Sequence, residues 1–151
     1  MLELARESDW DAIRRLSVQI HDLHVSWRPD IYCHSDEPNA KGQILEDIRS
    51  RMAFVAKLQQ TVVGYTVLSI REKSGPGVVE KKELIVNSIC VDEALRNQGI
   101  GKEIMTDIRA LAKAFGCGNV ILGVHPENDT AIAFYRKCGF HLQTLRMELK
   151  P

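Results

Sequence analysis

No stretch of this 151-residue chain is apolar for long enough to cross a bilayer, which takes roughly 18 residues or more. The opening Met1-Leu-Glu-Leu-Ala-Arg-Glu has no basic region followed by an apolar one, so no secretory signal is expected. Net charge is missing too, because twenty Lys and Arg side chains balance twenty Asp and Glu. Without an excess of either sign there is no long-range pull toward nucleic acid or an anionic membrane, and neither is expected as a partner. The four cysteines (Cys33, Cys90, Cys117, Cys138) are scattered and form no C-x-x-C pair. That argues against a zinc or redox motif, and no metal is expected. Free thiols fit a reducing compartment, and the chain reads as cytoplasmic. Repeats, low-complexity tracts and linkers are also absent. What remains is the composition of a single globular domain over residues 1–151, 44 % apolar and 26 % charged.

Hydrophobic periodicity divides the chain into short elements. Leu2 and Leu4 alternate with polar neighbours, as a first strand does. Ser8 followed three residues later by Asp11 reads as a helix start. Trp10, Ile13, Leu16, Ile20 and Leu23 then continue at helical spacing to about His24. A loop through Pro38 leads to a second helix over roughly Ala40 to Arg51. From Ala53 the period becomes two: Phe54–Ala56 and Thr61–Ile70 flank Gln59-Gln60 as a hairpin. A turn at Lys73–Gly77 precedes a long strand, Val78 to Val91. Helix returns from Gly99 to about Phe115, followed by a buried strand at Val120–Val124, a short helix at Thr130–Cys138 and a last strand at Phe140–Leu149. This order is that of a mixed α/β domain.

The most informative stretch is the end of the long strand, then Arg96-Asn-Gln-Gly-Ile-Gly101, then a helix. A strand that ends in a glycine-bearing loop and opens a helix aims several free backbone N–H groups at one place. The helix dipole favours negative charge at that place. A phosphate or pyrophosphate is the natural occupant. Two familiar phosphate loops are excluded by residue. A Walker loop needs Gly where Arg96 stands and Ser or Thr where Glu103 stands. A dinucleotide fingerprint begun at Gly99 needs its third Gly at Ile104.

Arg96-Asn-Gln-Gly-Ile-Gly101 resembles the Arg/Gln-x-x-Gly-x-Gly/Ala loop of the GNAT superfamily of N-acetyltransferases. Downstream, Asn128-Asp-Thr-Ala131-Ile-Ala-Phe134-Tyr135-Arg-Lys-Cys-Gly139-Phe140 is similar to that superfamily's second signature, N-x-x-A-x-x-F-Y-x-x-x-G-F, at the expected separation. The resemblance covers Leu84 to Phe140. It implies a central mixed, mostly antiparallel sheet of six to seven strands, about four helices, and fourth and fifth strands that splay apart. It implies acetyl-CoA as co-substrate and transfer to a primary amine by direct attack in a ternary complex. The acceptor is then a small-molecule or peptide amine, and a homodimer is allowed. The alternative on the same fold is a non-catalytic module that binds or senses acyl-CoA.

The resemblance also implies roles for residues. The pyrophosphate would rest on the amides of Gln98 to Lys102, with Gly99 and Gly101 permitting close approach and Arg96 and Asn97 opening the loop. The pantetheine arm would pair with the backbone of Ile89 and Val91. Asn128 would face the cofactor, with Ala131 and Phe134 packing near its arm. Tyr135 would give a proton to the departing thiolate, and a backbone N–H near Ile89 would stabilise the oxyanion. Strand alternation sets Glu83 on one face with Ile85 and Asn87. Glu83 is therefore either the base that takes the amine's proton through water or a solvated strand carboxylate beside Lys82. His21, His24, Trp27 and Arg28 cluster at the end of the first helix, where the fold places its acceptor pocket, and Asp30, Asp36 and Glu37 would draw a cationic amine. His125 ends the fifth strand near the expected cleft. Cys90 and Cys138 read as packing residues.

Overall fold

The computed structural model describes residues 1–151. Five strands form one sheet in the order β1-β2-β3-β4-β5: β1 Leu2–Leu4, β2 Ala53–Leu58, β3 Thr61–Gly75, β4 Val78–Val91 and β5 Asn119–Leu122. All neighbours are antiparallel except β4 and β5, which are parallel. Four helices flank the sheet: α1 Trp10–Trp27, α2 Lys41–Arg49, α3 Ile100–Ala114 and α4 Asp129–Lys137. No helix is long and apolar enough to cross a membrane.

Alternation along the strands divides the core between the two faces of the sheet. Ala53 and Val55 of β2 pack with Trp10, Ile13 and Leu16 of α1 and Ile44 of α2. Phe54 and Ala56 point the other way, onto Ile104, Met105 and Ile108 of α3 with Leu84 and Val86 of β4. Ile104 and Ile108 are fully buried, so replacing either with Ala would cost about 2–5 kcal/mol. This packing fixes α3 across β4, and with it the loop that opens the helix.

The structure departs from the sequence reading at several element ends; β5, expected over Val120–Val124, stops at Leu122. Helix α1 runs one turn past His24 to Trp27. Its start, expected at Asp9 behind a Ser8 cap, falls at Trp10 after a 3-10 turn over Glu7–Asp9, where the Asp9 carboxylate accepts the Arg6 N–H at 2.8 Å. Strand β3 continues to Gly75, which shrinks the expected turn to Pro76-Gly77. The largest departure is at the C-terminal end: Phe140–Leu149 alternates as a strand does, yet forms none, so the sheet has five strands where six to seven were expected. A strand needs a ladder partner for its N–H and C=O groups, and this segment meets none within its own molecule.

Candidate active site

The site grows from β4. Its stretch Glu83–Val86 lies between β3 and β5, but the β5 ladder stops at the Val86–Leu122 pair. Beyond it, Asn87–Val91 has β3 on one side and no strand on the other. After Leu122 the chain leaves β4, and the His125 ring stacks on Trp27 of α1 at 5.2 Å between centroids and 12° between planes. The Asp92 N–H donates to Val63 O, which fixes the side on which β4 pairs with β3. Ser88 and Cys90 therefore face β3, while Ile89 and Val91 turn their backbone groups into the open gap. The expected splay of the fourth and fifth strands is this gap.

The loop after β4 is held from outside the site. Asp92 pairs with Arg15 and accepts the Ala94 N–H at 3.2 Å, and Gln19 Oε1 accepts the Glu93 N–H at 3.0 Å. The backbone then turns through two left-handed residues, Asn97 at φ 63° and Gly99 at φ 89°. At Gly99 any side chain is strained, and Gly99 is the N-cap residue from which α3 starts. The N–H groups of Asn97 to Gly101 have no acceptor within the protein, which leaves five unpaired donors at the N-terminal, positive end of the α3 dipole. Gly101 is required for a different reason. A Cβ there would stand 3.2 Å from the Phe134 ring, so its absence lets α4 close against the first turn of α3.

Helix α4 forms the facing wall. Asn128 caps it, Oδ1 accepting the Ala131 N–H at 3.1 Å. One turn further on, Phe134 and Tyr135 lie at 5.4 Å and Phe140 backs Tyr135 at 5.7 Å. The Tyr135 hydroxyl makes no hydrogen bond in the protein, yet no buried side-chain polar atom lacks a partner, so this hydroxyl opens on the cleft. Burial of the ring pushes its pKa up to about 12, which keeps it a proton donor across the neutral range. Cys90 also borders the cleft. Burial pushes its thiol up to about 11, which leaves it without thiolate character.

Together these elements enclose a cleft of about 1040 Å³. Arg96, Lys102, Arg109 and Lys137 line it against two carboxylates, Glu127 and Asp129, so a chain of zero net charge presents a positive cleft. The end toward α1 is aromatic. Trp27 lines it, with His125 stacked on one side and the His24 ring 5.7 Å away on its own helix. Burial, then the neighbouring His125 and His21, lower the His24 pKa and keep that imidazole neutral at neutral pH.

Of the expected catalytic and cofactor-binding residues, all but Glu83 and Gln98 line this cleft; of the expected acceptor-pocket residues Trp27 lines it, whereas His21, His24, Arg28 and His125 do not. Gln98 belongs to the loop, and its N–H has no acceptor within the protein. Glu83 is not brought to the site. It lies in the paired part of β4, 1 % exposed, where Arg71 Nε and Nη2 donate to its Oε2 at 3.0 and 2.8 Å and Lys73 stands at 3.6 Å. Arg71 holds the carboxyl below the usual carboxylate range. The expected acceptor carboxylates are likewise engaged elsewhere: Asp30 with Arg28, Asp36 with His34, and Glu37 with the Lys41 N–H. Sequence reasoning missed Thr106 and Arg109 in the cleft. Their spacing from Lys102 places all three on one face of α3, the face left over once the core positions are assigned.

Comparison with known proteins agrees with this geometry. A family model described as the Acetyltransferase (GNAT) family matches residues 17–140. A glucosamine 6-phosphate N-acetyltransferase of Trypanosoma brucei brucei is 30% identical over 112 residues, 70% of this chain and 73% of that protein. The N-alpha-acetyltransferase RimI of Mycobacterium tuberculosis is 35% identical over 86 residues, 57% of this chain and 49% of that protein. The chain spans less than half the length of each of the first curated relatives it matches, from 24% to 49%. Among solved structures, a mutant of the BH1408 protein from Bacillus halodurans superposes with a TM-score of 0.95 at 26% identity, over 100% of this chain and 99% of that one. The aminoglycoside N-acetyltransferase AAC(6')-Iy in complex with CoA shares the fold, with a TM-score of 0.72 at 16% identity over 100% and 98% of the two chains. On the matched span and the cleft it encloses, the chain belongs to the GNAT acetyltransferase family.

Proposed function

We propose that this protein is an N-acetyltransferase that moves an acetyl group from acetyl-CoA to a primary amine by direct attack in a ternary complex. The observation that carries the reading is a convergence within one cleft. Unpaired loop amides at Asn97, Gly99 and Gly101, the open edge of β4 and an unbonded Tyr135 hydroxyl all border it. Acetyl-CoA supplies the activated acyl group. The amides from Asn97 to Gly101, with Lys102 and the neighbouring cations, suit its pyrophosphate. The Ile89 backbone suits the amide-bearing arm and offers an N–H to the thioester oxygen as it gains charge. Arg96 Nε now donates to Val91 O at 3.2 Å, so that side chain must turn aside for the arm to pair there.

The amine arrives as an ammonium ion at the aromatic end, beside Trp27, and gives up its proton to cleft water. It then attacks the acyl carbon, the C–S bond breaks, the Tyr135 hydroxyl donates a proton to the departing sulfur, and the proton shed by the new amide nitrogen returns through cleft water to Tyr135. We place Glu83 in the sheet rather than in this proton path. The test is a screen of amine classes (amino acids, polyamines, aminosugars, peptide N-termini) with acetyl-CoA, following CoA release. Acetyl transfer to one class is expected. Tight acetyl-CoA binding without release on any amine would turn the reading to an acyl-CoA-sensing module, and no binding would remove both.

A further inference from the structure

Rings from three separate segments meet at the α1 end of the cleft. Ile20, Leu23 and Trp27 line it from one side of α1, and none of the three is fully buried. Behind Trp27 the rings continue without a break. The His125 ring, just past β5, lies nearly parallel to it, and His24 stands 5.7 Å away on α1. Tyr32, from the loop after α1, is 5.7 Å from His24 and 6.0 Å from His21. Aromatic side chains have few rotatable bonds, so this group presents a rigid, flat and largely apolar shelf to the cleft.

The charges around the shelf are paired with one another. Arg28 donates twice to Asp30 at 2.8 Å and meets Glu148 at 2.7 Å. Asp22 and Asp36 both contact His34, and Glu37 accepts the Lys41 N–H. His24 is neutral at neutral pH, as argued above. The cations of the cleft, Arg96, Lys102, Arg109 and Lys137, belong instead to α3, its loop and α4. One carboxylate at this end is free: Glu127, two residues beyond His125, lines the cleft and makes no ion pair. Asp129, the other carboxylate of the cleft, lies in the first turn of α4, where the helix dipole favours it. A second ammonium, a phosphate or a carboxylate on the acceptor would therefore meet an apolar surface without a partner, at a cost in free energy.

On the basis of the acetyl transfer proposed for this cleft, we infer that the acceptor is a monoamine with a flat aromatic body, whose ring lies on the Trp27 shelf and whose single ammonium group is drawn by Glu127. An alkyl spacer separates ring from nitrogen. A nitrogen bonded directly to the ring is uncharged at neutral pH and gives Glu127 nothing to attract. Polyamines, aminoglycosides and sugar phosphates carry charges this end leaves unmatched.

The test compares kcat/KM at saturating acetyl-CoA for phenethylamine, its saturated counterpart cyclohexylethylamine, spermidine and glucosamine 6-phosphate. Phenethylamine is expected to exceed cyclohexylethylamine by about two- to tenfold, the added worth of an aromatic pair. It should exceed the other two by more than about tenfold. Trp27→Leu keeps an apolar wall without a ring, and should bring the ratio of the two ring amines to about one; a packing defect alone would lower both alike. Preferred transfer to spermidine or glucosamine 6-phosphate overturns the aromatic acceptor and leaves acetyl transfer standing, and so do equal rates on the two ring amines. If no amine is acetylated, acetyl transfer itself fails, and calorimetry with CoA present decides the shelf. Saturable phenethylamine binding that is lost in Trp27→Leu supports it, and no binding to the unaltered chain overturns it. If Trp27→Leu fails to fold, the preference of the unaltered chain decides alone.

Discussion

The two ends of the cleft are made from different materials. The end beneath α3 is built from backbone: amides without acceptors, a left-handed glycine, and a strand edge abandoned by its neighbour. The end beneath α1 is built from side chains, with Trp27 stacked on His125 and His24 close by. A backbone site restricts which residues can stand in it, because only certain residues permit its dihedrals and approaches. A side-chain site can be rebuilt by substitution without disturbing the fold. The first kind therefore suits the co-substrate common to a family, and the second suits an acceptor that differs from member to member.

Tyr135 stands between the two ends and gives the comparison its strongest test. Tyr135→Phe keeps the ring and its packing on Phe134 and Phe140 but removes the hydroxyl that opens on the cleft. Single-turnover acetyl transfer is expected to fall on the order of 10²–10⁴-fold, with acetyl-CoA affinity unchanged. A loss below about tenfold in that measurement would assign the thiolate's proton to water. The backbone end comes next. At Gly99, φ 89° disfavours any side chain and a β-branched one most. Gly99→Val should weaken acetyl-CoA binding by about 10–100-fold, the equivalent of the roughly 1–3 kcal/mol such strain costs. Calorimetry on a folded variant with undiminished affinity would detach the loop from the co-substrate.

The side-chain end should respond less and in a different parameter. Trp27→Ala removes the stack on His125, an arrangement worth about 0.5–1.5 kcal/mol. The acceptor KM should rise about two- to tenfold while acetyl-CoA affinity holds. A change in acetyl-CoA affinity instead would mean that the two ends are not separate sites. The same contrast explains what was legible in the sequence. Arg96-Asn-Gln-Gly-Ile-Gly101 and Asn128 through Phe140 stood out because glycines, a cap and a packed aromatic are local requirements written in consecutive residues. The stack of Trp27 on His125 joins residues far apart in the chain, and nothing near either one announces it. The C-terminal segment failed for a third reason. Its alternation is real, but a strand exists only with a partner, and pairing is not a local property.

Glu83 is the smallest expected effect and the sharpest check on where the cleft ends. If it were the base, its loss would lower turnover, most of all near neutral pH where the amine is charged. Its surroundings predict otherwise. Arg71 donates twice to its carboxylate and Lys73 stands near, so the folded protein holds the charged form more firmly than the unfolded chain does. A carboxyl with a depressed folded pKa contributes stability that is present above its unfolded value, about 4.3, and is lost as pH falls through the folded value. Glu83→Gln should therefore melt at a lower temperature than the parent at pH 7, and the gap should close in acid below about pH 4. Turnover should change by less than about threefold, and the pH–rate profile should superimpose on that of the parent. The strand register gives the physical reason. Glu83 pairs with Asn119 where β4 and β5 still touch, and the cleft opens only after Val86. A variant with unchanged melting and a turnover loss rescued at high pH would move the catalytic machinery into the paired half of the sheet, and the division between the two ends with it.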